Sequence, residues 1–168
     1  KKINSGVFPR TQGGPLEHII AAKAVCFREA LSPEYKEYNL QILKNAKALA
    51  AALAEGGVRL VTGGTDNHLM LADVMSRGKT GKEVQELLDM ANITANKNTI
   101  PYDTQKPSLA SGMRFGTPAA TTRGMKEDDM TAIGKIIVRL LDEGESAVPA
   151  CRELVIALCE RYPLYPGL

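Results

Sequence analysis

Between Ser32 and Gly57 the chain reads as one uninterrupted helix, and the elements that follow are all shorter. Ser32 is a good N-cap, Pro33 fits the first helical position and Glu34 favours the positive end of the helix dipole. Tyr35, Tyr38, Ile42, Ala46, Leu49 and Leu53 recur at helical spacing until Gly56-Gly57 stops the run, after about six turns. Val58–Thr62 and His68–Val74 then read as strands joined by the turn Gly63-Gly64-Thr65-Asp66-Asn67. The second is apolar on both faces, which predicts a central position in a sheet. Thr80-Gly81-Lys82-Glu83 is a capping box, opening a helix whose inner face is Val84, Leu87, Leu88 and Ala91. Two more helices complete the pattern. One starts at Glu127-Asp128-Asp129 and turns Met130, Ile133, Ile137, Leu140 and Leu141 inward. The other, roughly 148–161, carries Cys151, Leu154, Val155, Leu158 and Cys159 as core filler, before a tail at Tyr162-Pro163-Leu164-Tyr165-Pro166. The whole predicts a small α/β domain of the α+β type.

Residues 1–14 read as loop, ending in Gln12-Gly13-Gly14-Pro15. Pro15 suits a first helical position, and Leu16, Ile19, Ile20, Lys23, Ala24 and Phe27 follow with helical spacing. A glycine pair ahead of a helix lets the backbone come close to an anion, whose charge the free N–H groups and the helix dipole favour. The alternative is a plain glycine turn. His18, on the same helix, reads as a packed or capped histidine rather than a base.

Composition narrows the function. A chain of 168 residues, 44% hydrophobic and 24% charged, supports one core, or a core with an appended arm. Its 21 basic and 19 acidic residues are intermixed and leave a net charge of +2, so no field for nucleic acid or a membrane surface emerges. A small charged ligand fits better. Cys26, Cys151 and Cys159 form neither a disulfide framework nor a CxxC pair, which predicts a reducing, cytoplasmic setting. No apolar run approaches the ~20 residues of a membrane span. With only His18 and His68, and no HExxH or Cys/His cluster, no metal site is expected. The missing initiator methionine leads us to expect a piece of a longer chain.

The chemistry concentrates in Ser111-Gly112-Met113-Arg114-Phe115-Gly116-Thr117-Pro118, where one arginine sits in a short apolar run between small residues. Arginine is the side chain best shaped to grip a carboxylate or phosphate through two parallel hydrogen bonds. The competing reading is an ordinary strand with Arg114 in solvent. Residues 93–110, upstream of it, are polar and turn-rich, as binding loops often are. Asn96 and Asn98 could read a heterocyclic ring through their amides, or simply form turns. Arg123 reads as a helix-end cap, an acid contact or a solvated charge.

The ordered set Asn4-Ser5-Gly6-Val7-Phe8-Pro9, Gln12-Gly13-Gly14-Pro15-Leu16, Gly63-Gly64-Thr65-Asp66-Asn67-His68, Ala91-Asn92-Ile93-Thr94, Asn96-Lys97-Asn98 and Ser111–Pro118 resembles the serine hydroxymethyltransferase family, as does the closing Arg161-Tyr162-Pro163. The resemblance runs along the whole chain and implies its C-terminal part: interdomain helices over residues 1–56, then a small α/β domain over 57–168. The implied fold is the C-terminal portion of the aspartate-aminotransferase-like, fold type I, pyridoxal phosphate enzymes.

That family interconverts serine and glycine, with pyridoxal phosphate as electron sink and tetrahydrofolate as one-carbon carrier. The resemblance assigns Arg114 to the amino-acid carboxylate and Gly13 and Gly14 to the cofactor phosphate across a dimer interface. Asn98 falls to the folate pterin, and Lys106, Pro107 and Ser108 to a folate-contacting stretch. It implies a homodimer or homotetramer, with no nucleic-acid or membrane partner. The chain departs from the family's Ser-Pro-Phe at Lys106-Pro107-Ser108, and from its glycines at Arg10-Thr11. Arg123 matches a recurring arginine to which the resemblance assigns no role. No lysine here stands in the Schiff-base motif, so the chain alone is expected to be inactive. The alternatives are a non-catalytic binding or assembly subunit, and an unrelated small α/β anion-binding module.

Overall fold

A computed structural model describes residues 1–165; Pro166 of the expected tail lies outside them. In chain order the elements are α1 (Lys2–Ser5), a π-helical stretch (Gly6–Thr11), α2 (Glu17–Ala30), α3 (Pro33–Glu55), β1 (Arg59–Leu60), β2 (Leu69–Asp73), a 3-10 turn (Met75–Arg77) and α4 (Gly81–Met90). β3 (Asn96–Asn98), β4 (Gly112–Gly116), α5 (Pro118–Thr122), α6 (Glu127–Glu143), a second 3-10 turn (Gly144–Ala147) and α7 (Val148–Glu160) complete it. The chain forms two compact units, Lys1–Glu37 and Tyr38–Leu168. The division expected between residues 56 and 57 falls where α3 stops. The larger unit begins earlier, because Ile42, Ala46, Leu49 and Leu53 belong to its core. No helix among the described residues is long and apolar enough to cross a membrane.

The smaller unit corrects the sequence reading twice. Residues 1–14, expected as loop, are largely helical, interrupted at Phe8 and Pro9, and the Thr11 hydroxyl closes the π turn onto the carbonyls of Gly6 and Val7 at 2.9 and 3.1 Å. Pro15 does not open α2. Leu16 adopts φ −82°, ψ 79°, and the Glu17 N–H bonds back to the Pro15 carbonyl, an inverse γ-turn that delays the helix to Glu17. No residue of α2 is buried, so its stripe of Leu16, Ile19, Ile20 and Phe27 faces outward.

In the larger unit the sheet is antiparallel throughout, in the order β1-β2-β4-β3, with β2 central as its two apolar faces predict. Local chemistry sets the element ends. The Ser32 hydroxyl accepts the Tyr35 N–H at the start of α3, and Gly57, at φ 75°, follows its end. Thr80 and Glu83 exchange both bonds of the capping box. β1 is shorter than expected because the turn already begins at Leu60, whose carbonyl accepts the Gly63 N–H. One sheet face is core: Leu60, Met70, Ala72, Met113 and Phe115 pack with buried residues of α3, α4, α6 and α7. Leu154, expected in the core stripe of α7, is instead half exposed, since Cys151, Val155 and Leu158 fill that face.

Candidate functional site

The other face of the sheet holds Arg114. Side chains alternate along β4, so Met113 and Phe115 enter the core while Gly112, Arg114 and Gly116 share the outer face. Arg114 is exposed, and among the described residues its guanidinium has no hydrogen-bond or ion-pair partner. Its cross-strand partners are Leu71 on one side and Asn96 on the other. Asn98, two residues along β3, lies on the same face opposite Gly112. An open cleft of about 470 Å³ gathers His68, Leu69, Thr94, Ala95, Asn96, Arg114 and Gly116.

β3 was not legible as a strand, because Asn-Lys-Asn has low strand propensity and pairs only along the rung that β4 offers. Its asparagines are oriented locally: Asn96 donates to the Lys97 carbonyl at 3.0 Å and Asn98 to that of Thr99 at 2.7 Å. On the far side, the turn before β2 is tied by the Thr65 hydroxyl to the Leu69 carbonyl (2.6 Å), while the Asn67 side chain accepts the Leu69 N–H (2.9 Å). That turn fixes His68 at the cleft edge. Its carbonyl accepts the Thr117 N–H at 3.1 Å, which locks the end of β4 beside it. The Thr117 hydroxyl, buried, donates to the Ile42 carbonyl at 3.1 Å. Behind it, the buried Asn45 side chain donates to the Thr121 hydroxyl (2.8 Å) and the Met125 carbonyl (2.9 Å), and accepts from Gln41 (2.9 Å).

Between Asn98 and Gly112 the chain leaves and rejoins the same rung, and this loop carries Lys106, Pro107 and Ser108, all exposed. Asp103 organises its interior. The carboxylate accepts from the Ser111 hydroxyl (2.6 Å) and from the N–H groups of Gln105 (2.8 Å), Ser111 (2.9 Å) and Ile100 (3.2 Å). The Ser111 hydroxyl first, and the three N–H groups after it, hold that carboxyl down to about 2. Sequence reading gave Asp103 no role; the signal was an aspartate inside a long polar loop, with partners two to eight residues away.

Arg123 proves to be a helix-end cap. Its guanidinium donates to the carbonyls of Cys159 (3.1 Å) and Tyr162 (2.8 and 3.1 Å) at the end of α7. Gly13 and Gly14 lie in the smaller unit, and a Cβ on either would meet nothing within 4 Å. Neither backbone N–H is bonded among the described residues. Two unhindered, unspent donors are the chemistry an anionic group needs.

The sequence model of the family described as serine hydroxymethyltransferase matches residues 1–137. Proteins named serine hydroxymethyltransferase from Rippkaea orientalis and Microcystis aeruginosa are each 55% identical over 170 aligned positions, and one from Nostoc sp. is 54% identical. Each alignment covers all of this chain and 40% of the relative, so the chain spans about two fifths of their length. On the family match over residues 1–137 and this degree of identity, the chain belongs to the serine hydroxymethyltransferase family.

Proposed function

We propose that this chain is the substrate-carboxylate and folate-facing C-terminal portion of an enzyme that interconverts serine and glycine, with tetrahydrofolate carrying the one-carbon unit. The observation that carries the proposal is Arg114: an exposed guanidinium without a partner among the described residues, on a sheet face where its strand neighbours are glycines. Held against an amino-acid carboxylate by two parallel N–H···O bonds, it would fix the Cα of the substrate and hence which bond is exposed to reaction. Asn98 and the Lys106–Ser108 loop, reached from the same strand edge, would face the pterin. Gly13 and Gly14, across a homodimer or homotetramer, would hold the phosphate of pyridoxal phosphate with their free N–H groups. When bound, that cofactor supplies the electron sink for chemistry at Cα. The parent fold is of the aspartate-aminotransferase type and the enzyme cytoplasmic. The chain alone is inactive, a reading supported by the absence of the family's lysine motif from its sequence.

The test is Arg114→Lys in the full-length enzyme. Lysine keeps the charge but loses the planar fork, so serine and glycine affinity should fall at least tenfold, about 1.4 kcal/mol, with cofactor content unchanged. Unaltered amino-acid affinity would remove Arg114 from the site.

A further inference from the structure

The loop between Asn98 and Gly112 has two halves that are held very differently. The returning half is fastened by backbone: the N–H groups of Gly81 and Lys82, at the start of α4, bond to the carbonyls of Ala110 and Leu109 at 2.9 Å each. The carbonyl of Ser111 accepts from Val74 and Met75 at 3.0 and 3.2 Å. The outgoing half, residues 99–105, has no backbone bond to the rest of the domain among the described residues. What joins it to the returning half is the Asp103 carboxylate, which takes the Ile100 and Gln105 N–H groups from one side and the Ser111 N–H and hydroxyl from the other. Two residues in this loop, Tyr102 at φ 59° and Ala110 at φ 54°, are left-handed, a conformation that persists in residues with side chains only where surrounding bonds impose it.

We propose that Asp103 is a positioning residue for the folate co-substrate: by clamping the outgoing half of the loop to Ser111, it sets how Lys106–Ser108 are presented beside Asn98, which the β3–β4 ladder holds in register with Arg114. The inference rests on the folate-facing assignment above. It places the effect on the co-substrate alone, because Arg114 is carried by β4 and β2, whose ladder runs from Leu69–Gly116 to Asp73–Gly112 and does not involve Asp103. Removing the clamp releases the loop and leaves the arginine where it was.

The experiment uses full-length holoenzyme carrying this chain. Asp103→Asn replaces an acceptor of four bonds by an amide that brings its own N–H donors to the same point. Ser111→Ala is the milder variant, deleting only the hydroxyl partner, and serves if the first fails to fold. In either, the KM for tetrahydrofolate should rise, tenfold or more for Asp103→Asn and severalfold for Ser111→Ala. Glycine affinity measured without folate should stay within twofold, and hydrogen exchange of the Ile100 and Gln105 amides should accelerate while that of Leu88 does not. Faster exchange with an unchanged tetrahydrofolate KM would make Asp103 a local structural residue and overturn the proposal. So would unchanged exchange, or a parallel loss of glycine and folate affinity. A wild-type enzyme that binds no tetrahydrofolate would instead defeat the functional reading beneath it, and that result is visible before any variant is made.

Discussion

Asn45 is the test of how the site is held from behind. It is fully buried on α3, and its amide bridges to the segment that follows β4: it donates to Thr121 and to the Met125 carbonyl and accepts from Gln41. In Asn45→Ala the partners do not suffer equally. Thr121 keeps its bond to the Thr117 carbonyl at 2.8 Å, and Gln41 keeps Glu127 at 2.8 Å. The Met125 carbonyl keeps no other donor among the described residues. Leaving that buried acceptor without a donor costs about 1–3 kcal/mol, and the two weakened partners add roughly 1 more, for a loss of about 2–4 kcal/mol. In a unit of this size that corresponds to a fall in Tm of roughly 8–16 °C. Urea unfolding followed by circular dichroism reads it directly, with the m-value unchanged if the native state keeps its compactness. Asn45→Asp should be at least as damaging, since a carboxylate there faces the Met125 carbonyl with no proton to offer. A loss below about 1 kcal/mol for Asn45→Ala would refute the reasoning.

Three further outcomes are expected. Gly112→Ala should destabilise by about 1–3 kcal/mol and loosen β3, because the new methyl would lie 2.5 Å from Ile100 Cγ2, 2.9 Å from the Asn98 carbonyl and 3.0 Å from the Ala72 carbonyl; thermal melting and exchange at Asn98 would show it. Arg123→Met should cost about 1–2 kcal/mol and fray the end of α7, seen as faster exchange near Cys159 with no change in amino-acid affinity. The Tyr162 phenol donates to Asp129 at 2.7 Å, and that bond pushes its pKa above the usual value near 10. Its contribution is therefore complete below pH ~10 and is lost as pH rises through the shifted value. Stability measured from pH 8 to 11 should fall more for wild type than for Tyr162→Phe, and parallel curves would contradict the assignment.

What could be read from the chain was whatever local chemistry decides. Ser32, Gly57 and the Thr80–Glu83 pair act within a few residues of themselves, so the ends of α3 and the start of α4 were visible in sequence. The Arg114 strand was visible as well, because two glycines and an apolar alternation mark it. What escaped depends on distant partners. β3 is a strand because β4 supplies its ladder and Gln85 of α4 accepts the Lys97 N–H, and Leu154 is left outside because its neighbours on α7 already occupy the core. Arg123 had three readings until the end of α7, some forty residues on, chose the cap. The cleft around Arg114 draws His68 from the turn before β2 and Asn96 from β3, a convergence that no spacing announces.

The glycines on either side of Arg114 bear on kinetics as well as on access. With glycines at the flanking positions on its face of the strand and no bond to it among the described residues, the guanidinium has to be ordered by whatever it captures. Immobilising so long a side chain costs about 0.5–1.5 kcal/mol, between roughly twofold and tenfold in affinity. Part of the attraction is thereby spent at each encounter, and the complex dissociates sooner than one formed on a clamped arginine. In the role proposed for Arg114, where one amino acid is released before another is accepted, a loosely held arginine would favour exchange over retention.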